Sequence, residues 1–183
     1  MEDRELLEGL RRGDQRSFDA IFRAHYPHLV AFVERMLRQR AVAEDIAQDV
    51  LLELWRRRES LVVQDSLRAY LFQAARNRAY NHTRHLRIEE RSEPELVGEG
   101  SIGHRGDAYL AEEEIETALR SAVAELPPRC REVFELSRVH GMRYAEIATA
   151  LGISVKTVES QMGKALGLLR VRLAAWLPAT EQS

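Results

Sequence analysis

The chain has 183 residues, 45% hydrophobic and 31% charged, which suffices for one domain or two small ones with a buried core. A formal net charge of -2 excludes an overall nucleic-acid signal, so any such signal must lie in how the charge is distributed. A single cysteine, Cys130, excludes an internal disulfide framework and a cysteine-built metal site.

Charge is uneven along the chain. Residues 1–91 carry 17 Lys/Arg against 15 Asp/Glu, residues 92–125 carry 2 against 9, and residues 126–183 carry 8 against 5. The opening segment MEDRELLEGLRRGD is charged throughout and lacks the apolar core of a signal peptide. No stretch approaches the roughly 18 apolar residues of a membrane span. A cytoplasmic protein with no membrane insertion is therefore expected. No run shows sustained period-two alternation, which predicts an all-α fold.

In chain order, Asp14 predicts the N-cap of a helix carrying Phe18, Ile21 and Phe22. Pro27 predicts a break before a separate helix over His28 to Arg40, and the next helix is expected from about Val42 to Arg58. In AVAEDIAQDVLLELWRRR, the residues Ile46, Ala47, Val50, Leu51 and Leu54 share one apolar face. Opposite them cluster Asp45, Gln48, Asp49, Leu52, Glu53 and Arg56, with Leu52 near the centre of the polar surface. Two readings fit: a lone surface leucine without consequence, or a docking face in which acids steer a basic protein partner and Leu52 makes the buried contact.

A fourth helix begins near Ser66, in SLRAYLFQAARNRAYNHTRHLR. It mixes Tyr70, Phe72 and Tyr80 with Arg68, Arg76, Arg78, Arg84 and Arg87, and places Asn77 and Asn81 at i, i+4. Aromatic faces can stack on unpaired bases, amides can bond base edges and guanidinium groups can hold phosphates, a set suited to opened DNA. A partly buried aromatic core with a solvated arginine face gives the same pattern. His82 and His85 could share a helix face, but further placed ligands are missing, so a surface reading outweighs a metal one.

The segment SEPELVGEGSIGHRGD, residues 92–107, has Pro, four Gly and little periodicity, which predicts a flexible acidic linker. Residues 1–91 and 108–183 then form two small helical domains. The second opens with a helix over Ala108 to Glu125, meets LPP at Leu126 to Pro128 and continues through Arg129 to Val139.

From Tyr144 to Leu169 the sequence YAEIATALGISVKTVESQMGKALGLL contains two amphipathic helical patterns. Tyr144, Ile147, Ala148 and Leu151 line the first; Gly152 supplies the turn and Ser154 can cap the second helix. The second has an inward set of Val155, Val158, Met162, Ala165, Leu166 and Leu169, with Lys156, Thr157, Ser160 and Lys164 opposite and Glu159 and Gln161 on its flanks. A short polar, cationic face after a tight turn predicts a helix-turn-helix that enters the DNA major groove; an ordinary helical hairpin is the bland alternative. There is no Gly-rich phosphate loop, no His/Cys metal spacing and no partner for Cys130 as a nucleophile, so catalysis is not expected, and no cofactor is implied.

These elements, in this order, resemble bacterial RNA polymerase sigma factors of the sigma-70 family, in its compact two-domain extracytoplasmic-function (ECF) group. The resemblance implies that AVAEDIAQDVLLELWRRR docks core RNA polymerase through Asp45, Gln48, Asp49, Leu52 and Glu53, against a basic coiled coil of the beta-prime subunit, with the beta subunit as further partner. It implies that SLRAYLFQAARNRAYNHTRH melts promoter DNA and reads the minus-10 element through Arg76, Asn77, Tyr80, Asn81 and Arg84, with Val62 to Ser66 holding a flipped base. It assigns ELPPRCREVFELSRVHGMRYAEIATALGISVKTVESQMGKALGLLR to a minus-35-binding domain, with Ser154, Lys156, Thr157, Ser160, Gln161 and Lys164 at the DNA. Many members carry basic residues where Glu159 and Gln161 stand, so phosphate attraction should be weaker here and the minus-35 sequence cannot be borrowed. The linker would pass near the RNA exit route, and an anti-sigma protein is left open as a further partner. A stand-alone helix-turn-helix regulator is the competing reading; it would need only the second domain and usually a dimer.

Overall fold

The structure, a computed structural model, describes residues 3–63, 66–90 and 110–175. The expected linker at 92–107 lies outside the described residues. Among those described, every regular element is a helix: α1 (Asp3–Arg11), α2 (Gln15–Leu37), α3 (Arg40–Arg56), α4 (Leu67–Glu90), α5 (Leu110–Ala124), α6 (Pro128–Arg138), α7 (Tyr144–Leu151) and α8 (Val155–Arg172). They sort into two compact units, α1 to α4 with the short α7 in one and α5, α6 and α8 in the other.

Asp14 caps α2 as expected: its carboxylate accepts from the Arg16 N–H at 3.1 Å and from the Ser17 hydroxyl at 2.8 Å. The Ser17 hydroxyl bond, followed by that from Arg16, holds the Asp14 carboxyl below the usual aspartate value. Pro27 does not break the chain into two helices; it sits inside the continuous α2. An interior proline costs about 3 kcal/mol, but the ring is exposed while Ile21, Leu29, Val30, Phe32 and Val33 are buried on both sides of it. Packing of one uninterrupted apolar face against α3 and α4 outweighs the lost backbone bond.

Helix α1 lies in the charged opening segment. Its Leu6 and Leu10, one turn apart, are buried against α2. Gly9 lets the two helices approach: a Cβ there would stand 2.0 Å from the Ser17 Oγ and 2.9 Å from its Cβ. Because that hydroxyl also anchors the Asp14 cap, Gly9→Ala is expected to lower stability by about 1–3 kcal/mol, read as a drop in the urea midpoint. An unchanged midpoint would show that α1 does not pack this closely in solution.

The centre of this unit is apolar: Ala43, Ile46, Ala47, Val50, Leu51 and Leu54 of α3 and Leu67, Leu71, Phe72, Ala75 and Ala79 of α4 are buried with the α2 face. Phe32 and Phe72 meet at 5.1 Å between centroids, tilted by 51°. Ser66 caps α4 by accepting from the Ala69 N–H at 3.0 Å. His25 on α2 has its pKa lowered, chiefly by burial, with Arg68 and His28 adding to the effect and Asp3 opposing it. The neutral form is thus the one the fold prefers. Stability from this group is present above the unfolded value near 6.5 and is lost as pH falls from there through the lowered folded value, so His25→Gln should reduce the loss in urea midpoint between pH 7.5 and 5.5.

In the second unit, Ala122, Leu126, Cys130, Ala165 and Leu169 form a core joined by the partly buried Val123, Phe134, Leu168 and Leu173. Pro128 occupies the first turn of α6, where a missing N–H costs nothing. Arg172 ties the end of α8 to α5, donating to the Ala122 carbonyl at 3.3 Å and pairing with Glu125 at 3.2 Å.

Candidate polymerase and promoter interfaces

Helix α3 buries one face completely and leaves the other to solvent. Asp45, Gln48 and Asp49 are exposed, and Leu52 among them is 45% exposed. Glu53 sits at the edge of this surface, half-buried and paired with Arg57 one turn on. Gln48 donates to the Tyr26 hydroxyl at 3.5 Å, which connects the face to α2. There, Phe18, Phe22 and Tyr26 form a row: Phe22 and Tyr26 stack at 4.8 Å, and Phe18 meets Trp55 of α3 at 5.2 Å. Arg58 caps the row over the Trp55 ring at 4.6 Å. The i, i+4 spacing of these three aromatics is visible in the sequence, where Phe18 and Phe22 mark only the helix that Asp14 caps.

Helix α4 separates the residues that the sequence pattern grouped. Asn77, Tyr80, Asn81 and Arg84 are exposed, whereas Arg76 is 8% exposed and lies inside the unit. Its guanidinium stands 4.6 Å over the Tyr80 ring, and Nη2 donates to the Tyr80 hydroxyl at 3.4 Å. Phe72 is withdrawn from any stacking role by its burial against Phe32, and Tyr70 is half-buried. In the preceding loop, Val62 is exposed and Val63 half-buried, while residues 64 and 65 lie outside the described ones.

After α7, Gly152 takes φ +64°, the left-handed conformation a β-carbon disfavours, and the Ile153 N–H donates back to the Ala148 carbonyl at 3.0 Å. The chain thus turns and restarts as α8 within three residues. Ser154, Lys156, Thr157, Glu159, Ser160 and Lys164 are exposed, opposite the buried Val158, Met162, Ala165 and Leu169. Val155 and Leu166, expected inward, are exposed. At about 100° per residue they stand roughly 50–70° from the centre of the buried stripe, outside the narrow groove that α8 fills. Gln161 is half-buried, and its Oε1 accepts from the Cys130 thiol at 3.1 Å. Cys130 is itself buried within the core of this unit.

Among the described residues, no cluster of three or more His, Cys, Asp or Glu could hold a metal ion, and no helix is long and apolar enough to cross a membrane.

Two family models match the chain: sigma-70 region 2 over residues 21–88, which spans α2 to α4, and sigma-70 region 4 over residues 116–169, which holds the turn and most of α8. The ECF RNA polymerase sigma factor SigL of Mycobacterium tuberculosis is 30% identical, over 84% of this chain and 87% of its own. Two solved structures share the fold, each at 24% identity and a TM-score of 0.66. One is CnrH in complex with the cytosolic domain of CnrY, covering 94% of this chain and 97% of its own; the other is RpoE in complex with the anti-sigma factor NepR from Bartonella quintana, covering 87% and 98%. The chain belongs to the sigma-70 family of RNA polymerase sigma factors, in its ECF group. It is a promoter-recognising sigma subunit that directs RNA polymerase in transcription initiation, and its partners are the core enzyme and promoter DNA.

Proposed function

We propose that three outward faces divide this work. The exposed side of α3, with Asp45, Gln48, Asp49, Leu52 and Glu53, docks core polymerase. The exposed amides Asn77 and Asn81, with Tyr80 and Arg84 beside them and Arg76 beneath, meet the minus-10 element once the DNA opens. Ser154, Lys156, Thr157, Ser160, Gln161 and Lys164 meet the minus-35 element. The observation that carries this reading is Leu52: a leucine 45% exposed amid acids, on a helix whose opposite face is fully buried, contributes little to the fold and much to a protein contact.

On the same reading residues 1–91 and 108–183 act as separate modules, and the acidic segment 92–107 tethers them while avoiding DNA by charge. The match of region 4 across both α7 and α8 supports taking the helix-turn-helix with the second module. We extend to this chain an anti-sigma protein as regulator, since the structures that share its fold include a sigma factor bound to an anti-sigma factor.

The minus-35 assignment is tested by affinity for a randomised minus-35 library at several salt concentrations. Lys164→Ala should weaken binding to many promoters alike and lower the salt slope by about one, as loss of one phosphate contact does. Ser160→Ala should instead alter preference among variants, because a hydroxyl near the start of a groove-bound helix faces base edges. If Ser160 and Gln161 changes leave preference intact while a change outside α8 reverses it, the helix is scaffold.

A further inference from the structure

The arginine beneath the minus-10 face is in the wrong place to hold a phosphate. Arg76 is 8% exposed, yet the guanidinium of a phosphate contact must reach the surface. It reaches Tyr80, one helical turn on. The cation covers one face of the phenol ring at 4.6 Å, and Nη2 bonds its hydroxyl at 3.4 Å, so the ring is held both by its face and by its tip. Tyr80 nonetheless remains 46% exposed. An exposed tyrosine ordinarily samples several rotamers and loses that freedom on binding; this one is already held by its neighbour.

We propose that Arg76 is a positioning residue that fixes Tyr80 as a preset stacking surface for one unpaired base of opened promoter DNA, and that Arg76 does not itself contact the DNA. This rests on the reading of α4 as the minus-10 face. An aromatic face accepts any base, because every base has a π surface, so Tyr80 secures the open strand while the flanking amides Asn77 and Asn81 supply hydrogen bonds to base edges. The division explains why one helix turn carries an aromatic ring between two amides, and why the cation nearest the ring points inward.

The experiment uses the full chain assembled with core polymerase and forked promoter templates carrying 2-aminopurine at each minus-10 position in turn. Tyr80→Ala should abolish fluorescence quenching at one position and weaken template binding about tenfold. Tyr80→Phe, which keeps the ring and loses only the hydroxyl bond, should retain most of the quenching. Arg76→Lys should reduce quenching at the same position, and the double change Arg76→Lys with Tyr80→Ala should be no worse than Tyr80→Ala alone, because one residue acts through the other. Arg76→Gln should leave the salt slope unchanged.

Additive losses in the double change, or a salt slope lowered by about one in Arg76→Gln, would mean that the arginine meets DNA directly, and the proposal would be wrong. Should a buried-arginine variant fail to fold by thermal unfolding, the Tyr80 pair still decides: uniform quenching in Tyr80→Ala and the unaltered chain sinks the stacking surface. If Asn77→Ala with Asn81→Ala alters template use while Tyr80→Ala does not, only this inference falls. If none of these changes has an effect, the minus-10 reading of α4 falls with it.

Discussion

Leu52→Ala combined with Asp49→Ala is expected to weaken binding to core RNA polymerase by about 30-fold or more while leaving the thermal midpoint of the free chain nearly unchanged. The two effects separate because of where the side chains stand. Both residues lie on the exposed side of α3, opposite Ile46, Ala47, Val50, Leu51 and Leu54, so truncating them opens no cavity in the core. Exposed substitutions of this kind stay within about 0.5 kcal/mol of stability. Truncating an apolar anchor that becomes desolvated at an interface costs roughly 2 kcal/mol or more of binding, and the lost carboxylate removes steering toward a basic partner. Titration of labelled core enzyme with the double variant, beside a thermal melt, reads both quantities. Full affinity in the variant would remove α3 as the docking face; a large drop in midpoint would mean that Leu52 serves the fold instead.

Phe72→Ala should do the reverse. Phe72 is fully buried and packs tilted against Phe32, which is 2% exposed, at the junction of α2 and α4. Removing a buried phenyl ring costs about 3–5 kcal/mol through lost transfer energy and the cavity left behind. Against a total of about 5–15 kcal/mol for a folded domain, that loss threatens the whole first unit. Core binding and promoter opening should then fail together, with a large fall in the urea midpoint. Phe72→Leu, which keeps most of the volume, should cost about 1–1.5 kcal/mol and retain activity. A Phe72→Ala protein that melts normally but cannot open promoters would instead make this ring a DNA-stacking residue, as its sequence neighbourhood suggested.

The helical class, the two amphipathic runs of the helix-turn-helix and the polar face of α3 were legible because helical periodicity acts over short distances. One turn of sequence determines which residues share a side, whatever packs against it. Asp14 and Gly152 were legible for a similar local reason, since a cap needs an acceptor next to the first free N–H groups and a left-handed turn favours a residue without a Cβ.

What required the tertiary structure was any choice between energies of comparable size. Pro27 signals a break locally, and only the continuous burial of α2 on either side of it overrides that signal. The charged opening segment hides α1, whose two buried leucines matter because Gly9 lets them approach α2. In α4 the sequence offered five residues as one DNA-facing set, yet a helix has only part of its circumference free. Packing turned Arg76 inward beneath Tyr80 and left Asn77, Asn81 and Arg84 outside. Likewise Gln161, on the flank of the α8 stripe, faces Cys130 because α6 packs on that side. Periodicity assigns residues to a side of a helix; the neighbour that covers part of that side decides which of them can reach a partner.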